Sequence, residues 1–283
     1  METASILKPT SCLYLYGVVS AAPAGLEEIC GIENQSSLFV IESEGLGCVV
    51  SHVPASEYTQ RRNENPSAQL EWLTPRALRH DEILRHLSSL TTVVPFKFGT
   101  LSANIGHVQE ILEKFQQPFR FLLDQFKDRE EWTVKVYAEE ALVRQHIECN
   151  DPELMGTDDV HSNQSEGHAY FLKKKREMLA ANLTAELIAA LGDDIHGRLQ
   201  PCAEQMVCST PCAGTPMKAH LAFSAALLVG RDRFAIVQEM LAKIESDYSG
   251  YSLLTELSGP WPPYSFTADL EQFQEPVHNE PQR

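Results

Sequence analysis

From Trp132 to Leu257 the hydrophobic period changes in a set order, and that order limits the fold more than any other feature of the chain. Trp132-Thr-Val-Lys-Val-Tyr137 alternates with the period of two of a half-buried strand. A short helix is predicted from Glu139 to about Glu148. A long one is predicted from Tyr170 to Leu191, where Gly192 suits a helix end. Strands follow near Ala203–Ser209 and Lys218–Val229, separated by the turn Thr210-Pro-Cys-Ala-Gly-Thr-Pro216. Phe234, Val237, Leu241 and Ile244 recur at spacings 3, 4 and 3, an amphipathic helix within Arg231–Tyr248. Tyr251–Leu257 reads as the last strand. Strand, helical layer, two strands, helix, strand is the βαββαβ order of a ferredoxin-like domain. The acidic, polar stretch from Cys149 to His168 reads as a loop that enlarges the first helical layer.

The first half reads as a different, mixed unit. Cys12–Val19 is β-rich, and Leu38–Ile41 with Leu46–Val53 forms a hairpin turning at Gly45. Residues 60–67 are a polar linker, after which Thr74 caps a helix and Pro75 is its first residue. Ala77, His80, Leu84 and Leu87 then form a helical stripe. Pro95 and Gly99 bracket an extended segment carrying Phe96 and Phe98. Val108, Leu112, Phe115, Phe119, Leu122 and Phe126 are spaced 4, 3, 4, 3 and 4, a buried stripe. Pro118 cannot donate to the Lys114 carbonyl, so a kink is predicted there. The expected class is α+β: a mixed domain over residues 1–128, a ferredoxin-like domain over 129–266, and an acidic tail over 267–283.

Composition narrows the function classes. No apolar run approaches the roughly 18–20 residues of a membrane-spanning helix. The opening METASILKPT lacks a basic region and reads as no signal peptide. A net charge of −16 repels a phosphate backbone, so nucleic acid is not an expected partner. The basic cluster Lys173–Arg176 reads as a solvated helix face. Seven scattered cysteines, an odd number, point to reduced thiols in a cytosol. Cys202, Cys208 and Cys212 are spaced C-x5-C-x3-C, which fits no zinc template well, and Cys12 and Cys48 read as small core residues.

No reaction motif stands out. The chain has no G-x-S-x-G, P-loop, H-E-x-x-H or C-x-x-C. Glu139 and Glu140 are adjacent and diverge on a helix, Asp158 and Asp159 lie in the expected loop, and Asp193 and Asp194 follow a helix end. His161 and His168 lack carboxylates at metal-box spacing. No catalytic, cofactor or metal residue is therefore assigned. His80 sits on an apolar helix face and reads first as a core histidine. The alternative is a ferredoxin-like enzyme or ligand sensor using His80 as acid or base. A polar pocket with a second titratable group would favour that alternative, and close packing among apolar side chains with one backbone partner would count against it.

Five stretches together resemble one family. They are Leu13-Tyr-Leu-Tyr-Gly17, Trp72 with His80, Val94-Pro-Phe-Lys-Phe-Gly-Thr100, Tyr170-Phe-Leu172, and Gly259-Pro-Trp-Pro-Pro-Tyr-Ser-Phe266. This pattern, over roughly residues 12 to 266, is similar to the gas vesicle protein F/L family (GvpF/GvpL). Lys97 stands where arginine or another polar residue is expected, and residues 149–168 have no match. The resemblance implies a non-enzymatic accessory or minor structural protein of gas vesicles, in the cytoplasm and at the vesicle. Its implied partners are the hydrophobic main shell protein and other accessory proteins, with no lipid membrane. Trp72, His80 and Gly99 are expected to be structural.

The most specific of those stretches invites two readings. Pro260, Pro262 and Pro263 restrict the backbone, which lowers the entropy cost of fixing Trp261, Tyr264 and Phe266. With Phe96 and Phe98, these rings form a candidate docking surface for an apolar partner. Alternatively they pack on their own protein and clamp its domains, which is the commoner fate of aromatic segments after a last strand. An edge strand of the C-terminal domain is also expected to be open to strand addition by a partner.

Overall fold

The computed structural model describes residues 11–60, 66–155, 166–209 and 219–267. The chain falls into two compact units. One holds the described residues of Met1–Glu130 and Pro260–Arg283, the other those of Glu131–Gly259.

The first unit is built on β1 (Ser11–Val19), β2 (Phe39–Ser43), β3 (Leu46–Pro54), β4 (Val93–Pro95) and β5 (Leu101–Ser102). The sheet order is β2-β3-β1-β4, and β5 also pairs with β1. β1 is buried without a break from Leu13 to Val19, as befits a central strand covered on both faces. Gly17 makes its pairing with β4 possible. A Cβ there would lie 2.6 Å from Val93 Cγ2 and 2.7 Å from the Val94 carbonyl oxygen. The hairpin turns at Glu44-Gly45, both with positive φ (52° and 68°), with Ser43 facing Leu46. Two left-handed central residues match the right-handed twist of the strands.

Helices cover this sheet: α1 (Ala55–Gln60), α2 (Pro66–Leu90), α3 (Ile105–Lys114) and α4 (Gln116–Phe126). The stripe from Val108 to Phe126 is buried at Val108, Leu112, Phe119, Leu122 and Phe126, and the helix breaks at Phe115, one turn before Pro118. Asn104 caps α3, its side-chain oxygen accepting from the His107 N–H at 2.9 Å. The expected start of a helix at Thr74-Pro75 needs correction. α2 begins at Pro66 and carries Pro75 in its interior. Thr74 does not cap; its hydroxyl donates back to the Leu70 carbonyl at 2.8 Å, as a mid-helix threonine does.

The second unit runs β6 (Arg129–Glu139), α5 (Glu140–Asn150), α6 (Pro152–Met155), α7 (Glu166–Leu199), β7 (Gln205–Cys208), β8 (Ala219–Gly230), α8 (Phe234–Asp247) and β9 (Leu254–Trp261). Its sheet order is β7-β8-β6-β9, with β7 and β8 antiparallel. Val134, Val136, Ile195, Leu199, Leu227, Val237, Leu241 and Ile244 form one core cluster; Ala138, Val143, Ile147, Leu154 and Leu191 form another.

Three expectations change here. α7 does not stop at Gly192 but continues to Leu199. The glycine is there for contact, since a Cβ would sit 2.4 Å from the Ala222 carbonyl oxygen of β8. The expected loop over 149–168 is helical at both described ends, in α6 and in the start of α7; residues 156–165 lie outside the described residues, as do the turn at 210–216 and the tail from 268. The last strand also begins later and runs further than expected, through Trp261. Residues Ser249–Tyr251 instead form a 3-10 turn, followed by Ser252 at φ 49°. Gly259 carries β9 onward at φ 145°, where a Cβ would meet the Trp132 ring at 2.8 Å and the Glu131 carbonyl at 2.9 Å.

Candidate functional site

The sequence candidates that the fold brings together are His80, Phe98, Gly99 and Tyr264, all in the first unit. Alternation along β1 places Tyr14 and Tyr16 on one face of the sheet. The buried stripe of α2 turns His80 toward them, with Ile83, Leu84 and Leu87. The stretch after β4 supplies Phe98 and Gly99, and the returning segment after β9 supplies Tyr264.

These rings pack around the imidazole of His80, which is 2% exposed. Tyr16 stacks on it at 5.9 Å and 21°, and Tyr264 at 6.3 Å and 30°. Tyr14 and Phe98 approach edge-on, at 5.6 Å and 5.7 Å. Hydrogen bonds fix the arrangement. The Tyr14 hydroxyl accepts from the Gly99 N–H at 2.8 Å and lies 3.0 Å from His80 Nδ1. The hydroxyl can give its own proton to Nδ1, with the ring proton then on Nε2, or accept from a protonated Nδ1. Among the described residues Nε2 lacks a hydrogen-bond partner by strict geometry, and the Phe96 backbone nearby favours the charged ring. The Tyr16 hydroxyl accepts from the Ile32 N–H at 2.8 Å and pairs with Ser51 Oγ at 2.9 Å.

The electrostatics are those of a core. Burial lowers the His80 pKa to about 4 against the opposing pull of Phe96. Burial pushes the Tyr14 phenol well above its ordinary value, and that of Tyr16 up to about 12. Near neutral pH the cluster therefore holds a neutral imidazole among neutral phenols. That arrangement suits packing and orientation rather than proton transfer.

Trp72 belongs to a neighbouring network. The Arg76 guanidinium lies 4.3 Å from its ring centroid, and Tyr58 meets it edge-on at 5.1 Å. Arg76 also makes a bidentate pair with the well-shielded Glu33 carboxylate, at 2.8 Å and 2.7 Å, and Tyr58 donates to Glu33 at 2.6 Å. The sequence singled out Trp72 and the Leu13–Gly17 stretch, but not the Arg76–Glu33–Tyr58 network or the packing of the two β1 tyrosines on His80. Tyrosines two apart in an otherwise apolar strand are the signal for the latter.

The remaining candidates are partly or wholly enclosed. Phe96 is 1% exposed and packs edge-on against Phe119 at 6.1 Å. Pro262 and Pro263 are buried, and Phe266 is 9% exposed. Trp261 is half-buried with the Arg85 guanidinium 6.0 Å from its ring, Tyr264 is half-buried, and Pro260 is exposed. The more open aromatics lie elsewhere. Tyr170 and Phe171, on α7, are 69% and 65% exposed, next to Lys173–Arg176. Among the described residues no group of three or more metal-ligating side chains occurs, and no helix is long and apolar enough to cross a membrane.

Comparison with known proteins places this geometry. The family described as gas vesicle synthesis protein GvpL/GvpF matches residues 12–268. Gas vesicle protein L of Streptomyces sp. (strain CB03234) is 28% identical over 231 residues, covering 80% of this chain and 82% of that one. Gas vesicle protein L of Haloferax mediterranei is 25% identical over 244 residues, covering 84% and 72%. In fold, the chain is similar to the crystal structure of gas vesicle protein GvpF from Anabaena sp. PCC7120. The TM-score is 0.68 at 17% identity, covering 95% of this chain and 100% of that one.

Proposed function

The chain belongs to the GvpL/GvpF family of gas vesicle synthesis proteins, and on that premise we propose that it is a non-enzymatic accessory protein that binds the hydrophobic shell protein during nucleation and growth of the gas vesicle. The family match across most of the chain carries this reading. It would act in the cytoplasm and at the nascent vesicle, alongside other accessory proteins. A protomer destined for a gas-facing apolar wall aggregates when left free, and a partner with a net charge of −16 keeps the complex dispersed.

Within this reading, the second unit, Glu131–Gly259, is a ferredoxin-like domain. The element order of the second unit and its strand order β7-β8-β6-β9 support that assignment. The segment from Pro260 to Phe266 both anchors and presents. Pro262, Pro263 and Phe266 are buried and Tyr264 packs on the first unit's core, while Pro260 and Trp261 offer partial surface. Phe98 packs on the same core cluster as Tyr264, and Phe96 is buried against Phe119. The open Tyr170 and Phe171 favour a second contact surface on α7. The alternative of an enzyme or sensor built on His80 finds no support in a neutral imidazole stacked between tyrosines.

Co-expression with the main shell protein, followed by capture of this chain, tests the proposal. Retention of shell protein by the native chain is expected. Its loss in a folded Trp261→Ala, Tyr264→Ala variant assigns contact to the C-terminal segment. Its loss in Tyr170→Ser, Phe171→Ser assigns it to α7. A native chain that retains no shell protein would contradict direct binding.

A further inference from the structure

We propose that Cys208, paired with His196, is a site of mixed-disulfide formation with small disulfides such as glutathione disulfide. Three of the described cysteines are exposed: Cys30, Cys149 and Cys208. Among the described residues, Cys208 is the exposed cysteine whose sulfur meets an imidazole, with Sγ 3.3 Å from His196 Nδ1. The two come from different elements. His196 sits in the last turns of α7, and Cys208 ends β7, at the edge of the sheet. The His196 ring lies edge-on to Phe223 at 6.4 Å, which helps to set its direction. The contrast with Cys202 is sharp. Cys202 is buried, its thiol donates to the Arg198 carbonyl at 3.4 Å, and burial pushes its pKa up.

A thiol beside an imidazole has a built-in proton acceptor. The Cys208 S–H gives its proton to His196 Nδ1. The thiolate then attacks one sulfur of the small disulfide. A new S–S bond forms at Cys208, the old one breaks, and the leaving thiolate takes up the proton from the imidazolium. One thiol and one disulfide are consumed, and one thiol and one disulfide are produced, so no further oxidant is needed. Cys208 is exposed on an edge strand.

Timed exposure of the full native chain to glutathione disulfide at pH 6.5, with mass spectrometry of each cysteine peptide, tests this. At that pH an ordinary thiol is about 1% thiolate. Cys208 is expected to lose its free thiol at least about ten times faster than Cys30 and Cys149. His196→Gln should remove most of that advantage and leave the rates at Cys30 and Cys149 unchanged, which also reports that the fold is intact. Equal rates at the three exposed cysteines of the native chain would overturn the proposal, with or without the variant. So would a fast Cys208 that His196→Gln does not slow.

Discussion

Tyr264 lies over the imidazole of His80, with ring centroids 6.3 Å apart and planes 30° from parallel. One ring comes from the end of the described chain and the other from the middle of α2. A residue 184 positions further on thus completes a core that β1 and α2 begin. The stiff proline-rich segment is accounted for by this contact, because three prolines reduce the entropy lost on fixing the rings that follow.

Removal of those rings should therefore cost stability in a set order. Phe266→Ala is expected to lose about 3 kcal/mol, and Tyr264→Ala about 2 kcal/mol. Trp261→Ala, half-buried over Arg85, should lose less than about 1.5 kcal/mol. Urea denaturation of the three variants checks the order. A Trp261→Ala loss as large as that of Phe266→Ala would mean that the segment is anchored differently.

The buried imidazole makes stability depend on pH. The folded-state pKa of His80 is about 4, below the ordinary 6.5. Between those values the unfolded chain binds a proton that the folded chain refuses, so stability falls as pH drops from 6.5 and levels off near 4. The full effect is on the order of 3 kcal/mol. Unfolding midpoints for the native chain and His80→Phe at pH 7 and pH 4.5 measure it. The difference between the two proteins should shrink or reverse at the lower pH, and parallel losses would argue against a buried neutral His80.

Tyr14→Phe removes one hydroxyl and leaves two partners, the half-buried Gly99 N–H and the buried His80 Nδ1, without it. A loss of about 2 kcal/mol is expected, more than a single exposed hydrogen bond would give. Tyr16→Phe, which strands the Ile32 N–H, should behave alike. Thermal unfolding separates this from a packing effect, because the ring volume is almost unchanged.

Gly192→Ala sets two effects against each other. Alanine is worth roughly 1 kcal/mol more than glycine inside a helix. The added Cβ would meet the Ala222 carbonyl oxygen at 2.4 Å, and forced displacement of packed backbone costs about 1–3 kcal/mol or more. A net loss of stability is expected, and a net gain would show that α7 and β8 can move apart freely.

Much of the fold was legible because it rests on local chemistry. The Glu44-Gly45 turn, the 108–126 stripe and its break, and the order of elements from β6 to β9 all follow from period and turn residues. The errors share a cause. Thr74-Pro75 and Gly192 have the residue types of helix ends, but Thr74 bonds back to Leu70 and Gly192 yields room to Ala222. In each case the helix continues for a reason the residue type does not show: α2 already runs from Pro66, so Leu70 one turn back accepts from Thr74, and Ala222 lies far along the chain. The candidate site was half legible for the same reason. His80 announced itself as a histidine on an apolar face, yet Tyr14, Tyr16, Phe98 and Tyr264 come together only through tertiary packing. The rings of the C-terminal segment were visible in sequence, and packing on their own protein was one of the two readings it offered.

The most direct measurement of the proposed role is genetic. The gene for this chain would be removed from a complete gas vesicle cluster, and vesicles counted by electron microscopy, with and without the chain supplied in trans. Few or no vesicles without the chain, and recovery when the native protein or His80→Phe is supplied, is the expected result. A normal number of vesicles in the absence of the chain would contradict a role in assembly, and recovery by the native protein but not by folded His80→Phe would point back to chemistry at His80.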